Sequence, residues 1–495
     1  MTATYLGLDI GTSSIKAILV DASQALLAEA SVPLDISRPH PLWSEQEPEA
    51  WWQAVLAAVH KIKTANPDAF SRLCGIGLSG QQHGAVLLDG EGRVLRPAIL
   101  WNDGRSGLEC EELTASVPDF LARASNLAMA GFTAPKILWV KKHEPDIFRA
   151  TRKVLLPKDY IRFRLSGVYA GDMSDAGGTL WHDVARRQWD DVLLDACGLD
   201  RSVMPHLVEG SDVSAVLSDT LKRDWGLGRE VVIAGGAGDN AASAIGVGAV
   251  NPGDGLLSVG TSGVLFAVTD RLIAHPERGL HAMCHALPGR WHGMAVTLSA
   301  ASALSWVAGL IGASGDLGAL VQQVETFAAD SDLCRNAPIF LPYLTGERTP
   351  HNDPEASGLF AGLRAEHDRI ALAYAAMEGV AFCFADDLAV MQEAGARMTN
   401  CVLVGGGARS AFWGQMFADV MGIALDLPAG AELGGALGAA RLALLASGAG
   451  SVDEICPRPR MERRFMPDHE KAAHYAPRLA RFRALYRVER ALRER

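Results

Sequence analysis

The sequence predicts an α/β protein of two related lobes, on three observations. Residues 6–21 (LGLDIGTSSIKAILVD) align without gaps on residues 255–270 (GLLSVGTSGVLFAVTD), an offset of 249 in a chain of 495 residues. Both stretches read as an apolar strand, a Gly-Thr-Ser turn and a second apolar strand, the pattern of a β-hairpin. After each hairpin, short apolar runs alternate with segments at helical spacing, as α/β layering requires. The offset far exceeds a solenoid period, so it describes two lobes rather than an array of small units.

The elements follow in chain order. Behind the first hairpin, residues 47–63 place Trp51, Trp52, Val55, Leu56 and Val59 on one helical face. Strand-like runs follow at 74–78, 85–88 and 231–234. Pro252 and Gly253 mark a turn near the lobe junction. The second lobe repeats the alternation, with helices expected at 299–311, 369–393 and 411–420 and a strand at 401–404. After Ser451 the chain turns basic: from Pro457 to Arg495 there are 12 basic and 5 acidic residues. There Leu479, Phe482, Leu485, Tyr486 and Leu492 fall near one helical face, which predicts a terminal amphipathic helix docked on the body with its arginines in solvent.

Composition narrows the function. Apolar residues make up 49% and charged residues 21%, which excludes a disordered or fibrous chain. The net charge of −11 argues against a protein that coats nucleic-acid phosphates. Eight cysteines without a CxxC pair fit a reduced, cytoplasmic protein. The start shows no secretory leader. The most apolar windows, such as 231–250, carry Asp239, Asn240 and five glycines, so neither a membrane span nor a membrane partner is expected.

Two carboxylates stand out. Asp9 interrupts an apolar strand end, where an unpaired carboxylate is costly, so it should have a strong partner. Gly11, Thr12 and Ser13 follow as a turn whose amides and hydroxyls suit phosphate oxygens, and Lys16 adds a positive charge on the returning strand. An acid beside phosphate donors suggests Mg²⁺. Gly260, Thr261 and Ser262 repeat the device. Asp239 ends a glycine-rich approach and opens a small-residue helix. It is either an N-cap or a base that takes a hydroxyl proton during phosphoryl transfer. Gly405, Gly406, Gly407 and Ala408, between a strand and a helix, form either a plain turn or a surface that lets a bulky ligand reach the backbone. His83, after Gln82 in a polar turn, is either a polyol contact or a structural histidine. The GxxxxGK[ST] loop is absent. Gly75, Gly77 and Gly80 match GxGxxG but precede a strand, so a dinucleotide site is rejected. His281, Cys284, His285 and His292 lack a second ligand pair for zinc.

These residues resemble the FGGY carbohydrate kinases of the actin-like ATPase superfamily, and within that family the likeness follows the xylulokinase branch along almost the whole chain. LDIGTSSIKA from Leu8, RPHPLWSEQEPEAWW from Arg38, GQQHGAVLLD from Gly80, RPAILWNDGR from Arg96, GDMSDAGGTLW from Gly171, GGAGDNAA from Gly235 and LPYLTGERTPHNDP from Leu341 carry it. The resemblance implies two actin-like (RNase H-like) domains, each on a five-stranded sheet, with the active site in the cleft between them. It implies a first lobe at 1–245 with the sugar site, first phosphate turn and base, a second at 246–450 with the second phosphate turn and adenosine site, and a helical tail at 451–495. The implied reaction is ATP-dependent phosphorylation of D-xylulose with Mg²⁺, with Asp239 as base and Asp9 as the Mg²⁺-linked carboxylate, directly or through water. Gln82, His83 and Asn240 would contact the ketose, Gly260 to Ser262 the phosphates, and Gly405 to Ala408 the adenosine. Many relatives carry Met where this chain has Gln82, a change that bears on sugar preference. Another ketose or polyol, such as ribulose, glycerol or gluconate, stays open as substrate, as does a nucleotide-switched actin-like chaperone or filament protein. A homodimer is one possible assembly.

Overall fold

The computed structural model describes residues 2–429 and 434–494. The first sheet contains β1 (Thr4–Ile10), β2 (Ser14–Asp21), β3 (Leu26–Pro33), β4 (Leu73–Gly80), β5 (Val213–Val216) and β6 (Val232–Ala234). Its order is β5-β6-β4-β1-β2-β3. The strands β1, β2 and β3 run antiparallel, β4 and β6 continue parallel to β1, and β5 closes the edge antiparallel. The second sheet repeats this with β7 (Asp254–Val259), β8 (Gly263–Thr269), β9 (Trp291–Thr297), β10 (Asn400–Val404), β11 (Leu425–Pro428) and β12 (Met461–Phe465). Its order is β9-β8-β7-β10-β11-β12, in the same senses.

Both sheets have seven strands where five were expected. The expected five are present, and β5 and β12 extend the parallel end of each sheet, covering an edge that would otherwise expose unpaired backbone. The remaining strand is Ala237–Gly238 beside β4 in the first sheet and His281–Cys284 beside β9 in the second. The hairpins also differ by one residue. Ile10 pairs with Ile15, leaving four residues in the first turn, whereas Val259 pairs with Gly263, leaving three in the second.

Helix α1 (Pro48–Ala65) buries Trp51, Val55, Ala58 and Ile62 against the first sheet. Helix α2 (Asp239–Gly246) leads into the second lobe, whose centre is α3 (Arg369–Glu393), flanked by α4 (Ala411–Met421). Helix α5 (Gly434–Ala446) falls within the 246–450 span, yet it lies on the first sheet. Its backbone touches that sheet. A Cβ on Gly77 would stand 1.7 Å from the Ala439 carbonyl, and one on Gly7 would stand 2.0 Å from that of Ala436. The glycine run at Gly75 and Gly77 is therefore the bed of a helix. Across α5, a Cβ on Gly438 would meet the Ala242 carbonyl at 1.8 Å, which locks α2 to the same joint.

The C-terminal helix α6 (His469–Arg493) packs on α3. Phe482 and Tyr486 are buried as expected, and Leu479 and Leu485 are partly so. Leu492 is 63% exposed because the helix end runs past the core. Arg478, expected in solvent, is buried instead. It forms a bidentate pair with Glu378, both bonds at 2.6 Å, and its remaining donors take the carbonyls of Arg335, Ala337 and Pro338. Among the described residues no helix is long and apolar enough to cross a membrane.

Two stability outcomes follow from these contacts. Gly77→Ala forces α5 off its sheet and should cost about 3 kcal/mol or more in denaturant unfolding, the upper range of overpacking. Arg478→Ala strands the Glu378 carboxylate in the core and should cost about 3–5 kcal/mol. A thermal midpoint near that of the parent for either variant would contradict the packing described.

Candidate active site

Asp9 is the penultimate residue of β1, directly opposite Lys16 in the hairpin ladder. Its expected strong partner is a hydroxyl: Ser79 Oγ on β4 donates to Asp9 Oδ1 at 2.8 Å. Lys16 is exposed and makes no ion pair with Asp9, although its charge acts on it. Burial raises the Asp9 pKa, against the lowering by Ser79 and Lys16. The first turn of α5 closes over the carboxylate, so that a Cβ on Gly435 would meet Asp9 Oδ2 at 2.9 Å. Asp9, Lys16, Glu29, Ser31 and Gly435 line a cavity of about 360 Å³.

The turn after Asp9 is braced from one side. Thr12 Oγ1 donates to Gln81 Oε1 at 2.9 Å and accepts from Trp101 Nε1 at 3.0 Å, while Gln46 Nε2 donates to the Thr12 carbonyl at 2.7 Å. Gln46 is itself fixed by Trp51 and Gln81. Ser13 stays exposed, and Gly11 closes the turn onto Ser14. Sequence reasoning did not assign Trp101, Gln46 or Gln81 to the site; their signal was a polar or aromatic residue within the same motifs.

Asp239 is the first residue of α2; Gly238 occupies the N-cap position and makes no side-chain cap bond. The carboxylate therefore does not cap the helix. Its Oδ1 accepts both the backbone amide (2.7 Å) and Nδ2 (2.9 Å) of Asn240. No other described residue donates to it, leaving Oδ2 open. Burial first, and the charge of Asp9 second, raise its pKa to about 7. Asn240 thus serves the carboxylate that was expected to be its neighbour in sugar binding.

Gln82 and His83 lie on the loop after β4. The Gln82 amide packs on Gly238, where a Cβ would meet Nε2 at 2.6 Å, and it approaches Met283 Sδ of the second lobe at 3.7 Å. His83 adopts a left-handed backbone (φ +69°). Its Nδ1 lies 2.8 Å from the Gly178 carbonyl, which can only accept, so Nδ1 carries the proton and Nε2 is an acceptor. Burial above all, with the charge of Lys136, holds its pKa at about 3, so the ring is neutral. Lys136 Nζ donates to the His83 carbonyl at 2.9 Å and anchors this loop from below. Met283 and Lys136 also escaped sequence reasoning, because one comes from the other lobe and the other acts through the backbone.

The second turn leans on the N-terminal end of the helix Ala301–Leu310: the amides of Ala300 and Ala301 donate to the carbonyls of Thr261 and Gly260. Thr261 and Ser262 are exposed. The Gly405–Ala408 loop abuts the same place, since a Cβ on Gly405 would meet the Val259 carbonyl at 2.6 Å. Gly260 and the glycine cluster are thus neighbours in space, 145 positions apart in sequence. His281, His285 and His292 are buried: His281 contacts Arg348, while His285 and His292 pack on Phe266. Among the described residues no group of three or more His, Cys, Asp or Glu could hold a metal ion by itself.

Comparison with known proteins gives the family and the fold. Residues 4–246 match the N-terminal domain of the FGGY family of carbohydrate kinases, and residues 255–447 match its C-terminal domain. The chain is 49% identical to the xylulose kinase of Escherichia coli (strain K12), over 97% of this chain and 98% of that one. It is 47% identical to the xylulose kinase of Klebsiella pneumoniae, over 96% of each chain. A crystal structure of a xyloylose kinase from Brucella ovis superposes with a TM-score of 0.95 at 47% identity, covering 99% of this chain and 100% of that one. This chain belongs to the FGGY family of carbohydrate kinases.

Proposed function

We propose that this protein transfers the γ-phosphoryl group of ATP to D-xylulose, giving ADP and D-xylulose 5-phosphate. The observation that carries the reading is Asp239, with an open carboxylate oxygen and a pKa near 7, directly after Gly238, which packs on Gln82 of the loop that carries His83 and reaches Met283 of the second lobe. The close identity to xylulose kinases supports the choice of sugar. A base tuned near the working pH is both ionised and basic enough to take a hydroxyl proton. The sugar C5 oxygen bonds to the γ-phosphorus, its proton passes to Asp239, and the bond from phosphorus to the ADP oxygen breaks. Neutral His83 offers Nε2 to a sugar hydroxyl, and Gln82 offers its amide.

The turns Gly11–Ser13 and Gly260–Ser262 supply phosphate donors, Lys16 supplies charge, and the Gly405–Ala408 loop supplies a flat backbone surface for adenosine. Asp9 suits Mg²⁺: one oxygen is held by Ser79, the other takes no hydrogen bond from a described residue, the residue lines a cavity, and Mg²⁺ is bound through one or two carboxylates with water and phosphate completing the shell. When bound, the ion neutralises charge on the phosphates. Because Met283 of the second lobe touches Gln82, lobe closure would exclude water as the competing acceptor. Eight free cysteines fit a reducing cytoplasm.

Asp239→Asn should keep nucleotide binding and lose at least about a thousandfold in kcat, judged by coupled ADP release; near-parental turnover would sink the assignment. The parent's kcat/KM should rise with pH through an apparent pKa near 7, because the free enzyme must shed the Asp239 proton. The same variant should unfold at a higher temperature at pH 8, with the gain shrinking toward pH 4, because the raised pKa costs the folded state progressively as pH rises from the ordinary value of 3.8 to about 7. Across D-xylulose, D-ribulose, L-ribulose, glycerol and gluconate, D-xylulose should give the highest kcat/KM. Strong ATP consumption without any sugar would favour a nucleotide-switched protein instead.

A further inference from the structure

Five ionisable side chains are buried together behind the catalytic loop: Lys158, Asp159, Arg162, Asp172 and Asp175, each at most 2% exposed. Nothing in the transfer reaction as described uses them, and an apolar core would be cheaper than a buried ion cluster. Lys158 Nζ binds Asp159 at 2.6 Å, Asp172 at 2.5 Å and Asp175 at 3.0 Å. Arg162 binds Asp159 at 2.6 Å and donates to the carbonyl of Gly235. Asp172 Oδ1 accepts from Ser174 Oγ at 2.5 Å, and Ser174 Oγ accepts the Gly238 amide at 3.2 Å. The cluster therefore grips the loop leading to Asp239 at both ends, by the Gly235 carbonyl and by the Gly238 amide. Between these points Gly236 has φ +76°, and a Cβ there would meet the Leu78 carbonyl at 2.4 Å. The loop's one side chain is the methyl of Ala237, so its course is held by backbone bonds, to Asp212 and Gly210 and along β4, and by these two grips.

We propose that Ser174, fixed by Asp172 and Lys158, is a positioning residue that orients the Ala237–Gly238 peptide, the unit before the one that carries Asp239, and hence the Asp239 carboxylate. The proposal rests on Asp239 being the base. Ser174 touches neither sugar nor nucleotide in this scheme and acts through one backbone amide. Its hydroxyl must point its proton at Asp172, which leaves a lone pair to receive the Gly238 N–H. Removing the hydroxyl leaves that amide without its acceptor and lets the peptide rotate.

The experiment measures Ser174→Ala, Ser174→Thr and Ser174→Cys, alone and in the Asp239→Asn background. Ser174→Ala should lower kcat about ten- to hundredfold, as misplacement of a reacting group by about 1 Å does, with KM for ATP within about twofold. Ser174→Thr should restore most of kcat, and Ser174→Cys should fall between the two. In Asp239→Asn the Ser174→Ala effect should shrink to about twofold or less, because the two residues act in one chain. An undiminished kcat in Ser174→Ala overturns the proposal. So does an equal loss in both backgrounds, which would mark a general loss of structure. If Ser174→Ala does not fold, the Cys and Thr variants decide by the same two readouts. If Asp239→Asn itself retains turnover, the base assignment fails first, a result distinct from failure of the relay.

Discussion

The arrangement of this molecule depends on a helix lying in backbone contact with a sheet. Gly7 and Gly77 pair across the parallel ladder of β1 and β4, and α5 rests on both, at distances no Cβ could share. That contact fixes more than packing. The first turn of α5 reaches Asp9 through Gly435, and Gly438, one turn further on, touches Ala242 of α2. Since α2 begins at Asp239, one helix sets the relation between the two carboxylates on which the proposed chemistry rests. The helix comes from the far end of the chain, so the cover over Asp9 and the contact with α2 are complete only with residues 434–446 in place.

The electrostatic consequence opposes stability. Asp9 and Asp239 are close enough that the charge of Asp9 raises the pKa of Asp239, and among the described residues no cation forms an ion pair with either, although the charge of Lys16 acts on Asp9. Burial adds to the same shift. Between its ordinary value of 3.8 and about 7, the folded state holds the Asp239 proton more tightly than the unfolded chain does. Stability therefore declines as pH rises across that window. Such an arrangement is retained where ligands bring compensating positive charge, which is the usual exchange of stability for function at active sites. The ion pair of Arg478 and Glu378, by contrast, is internally complete and only fastens the C-terminal helix.

Much of this was legible in the sequence because local patterns and tertiary packing agree. The helix at 369–393 has the expected limits, and the strands at 74–78 and 401–404 differ by one or two residues at their ends. Both hairpins were legible because their turns share Gly-Thr-Ser. What escaped belongs to long-range geometry. The one-residue difference in hairpin register leaves no trace in a gapless alignment. The glycines at 75 and 77 read as a discarded nucleotide motif because nothing local says that residue 439 lies on them. Arg478 sits on a face that looked solvated, since its partner Glu378 is 100 positions away. Ser174 is an ordinary serine until Gly238 is placed above it.

The two sheets also show one topology carrying two different loops at the same position. In each lobe a loop leaves the parallel strand next to the hairpin, and the loop begins beside the hairpin's turn: Gly80 pairs with Ile10, and Gly405 lies on Val259. Ile10 and Val259 are equivalent in the internal alignment, so Gln81, Gln82 and His83 occupy the place of Gly406, Gly407 and Ala408. The carboxyl ends of parallel strands are where open α/β sheets bind ligands. In one lobe the position carries amides and an imidazole acceptor, suited to hydroxyls. In the other it carries almost no side chains, suited to a flat group lying on the backbone. The hairpins divided likewise: Asp9 and Lys16 align with Ser258 and Leu265. The charged pair thus stands only on the lobe whose loop holds the polar residues. A symmetric pair of lobes would place like sites on both sides of the cleft. In the proposed reaction it is the loss of symmetry at these few positions that would set an acceptor sugar against a donor nucleotide, with Asp239, at the start of α2, as the base.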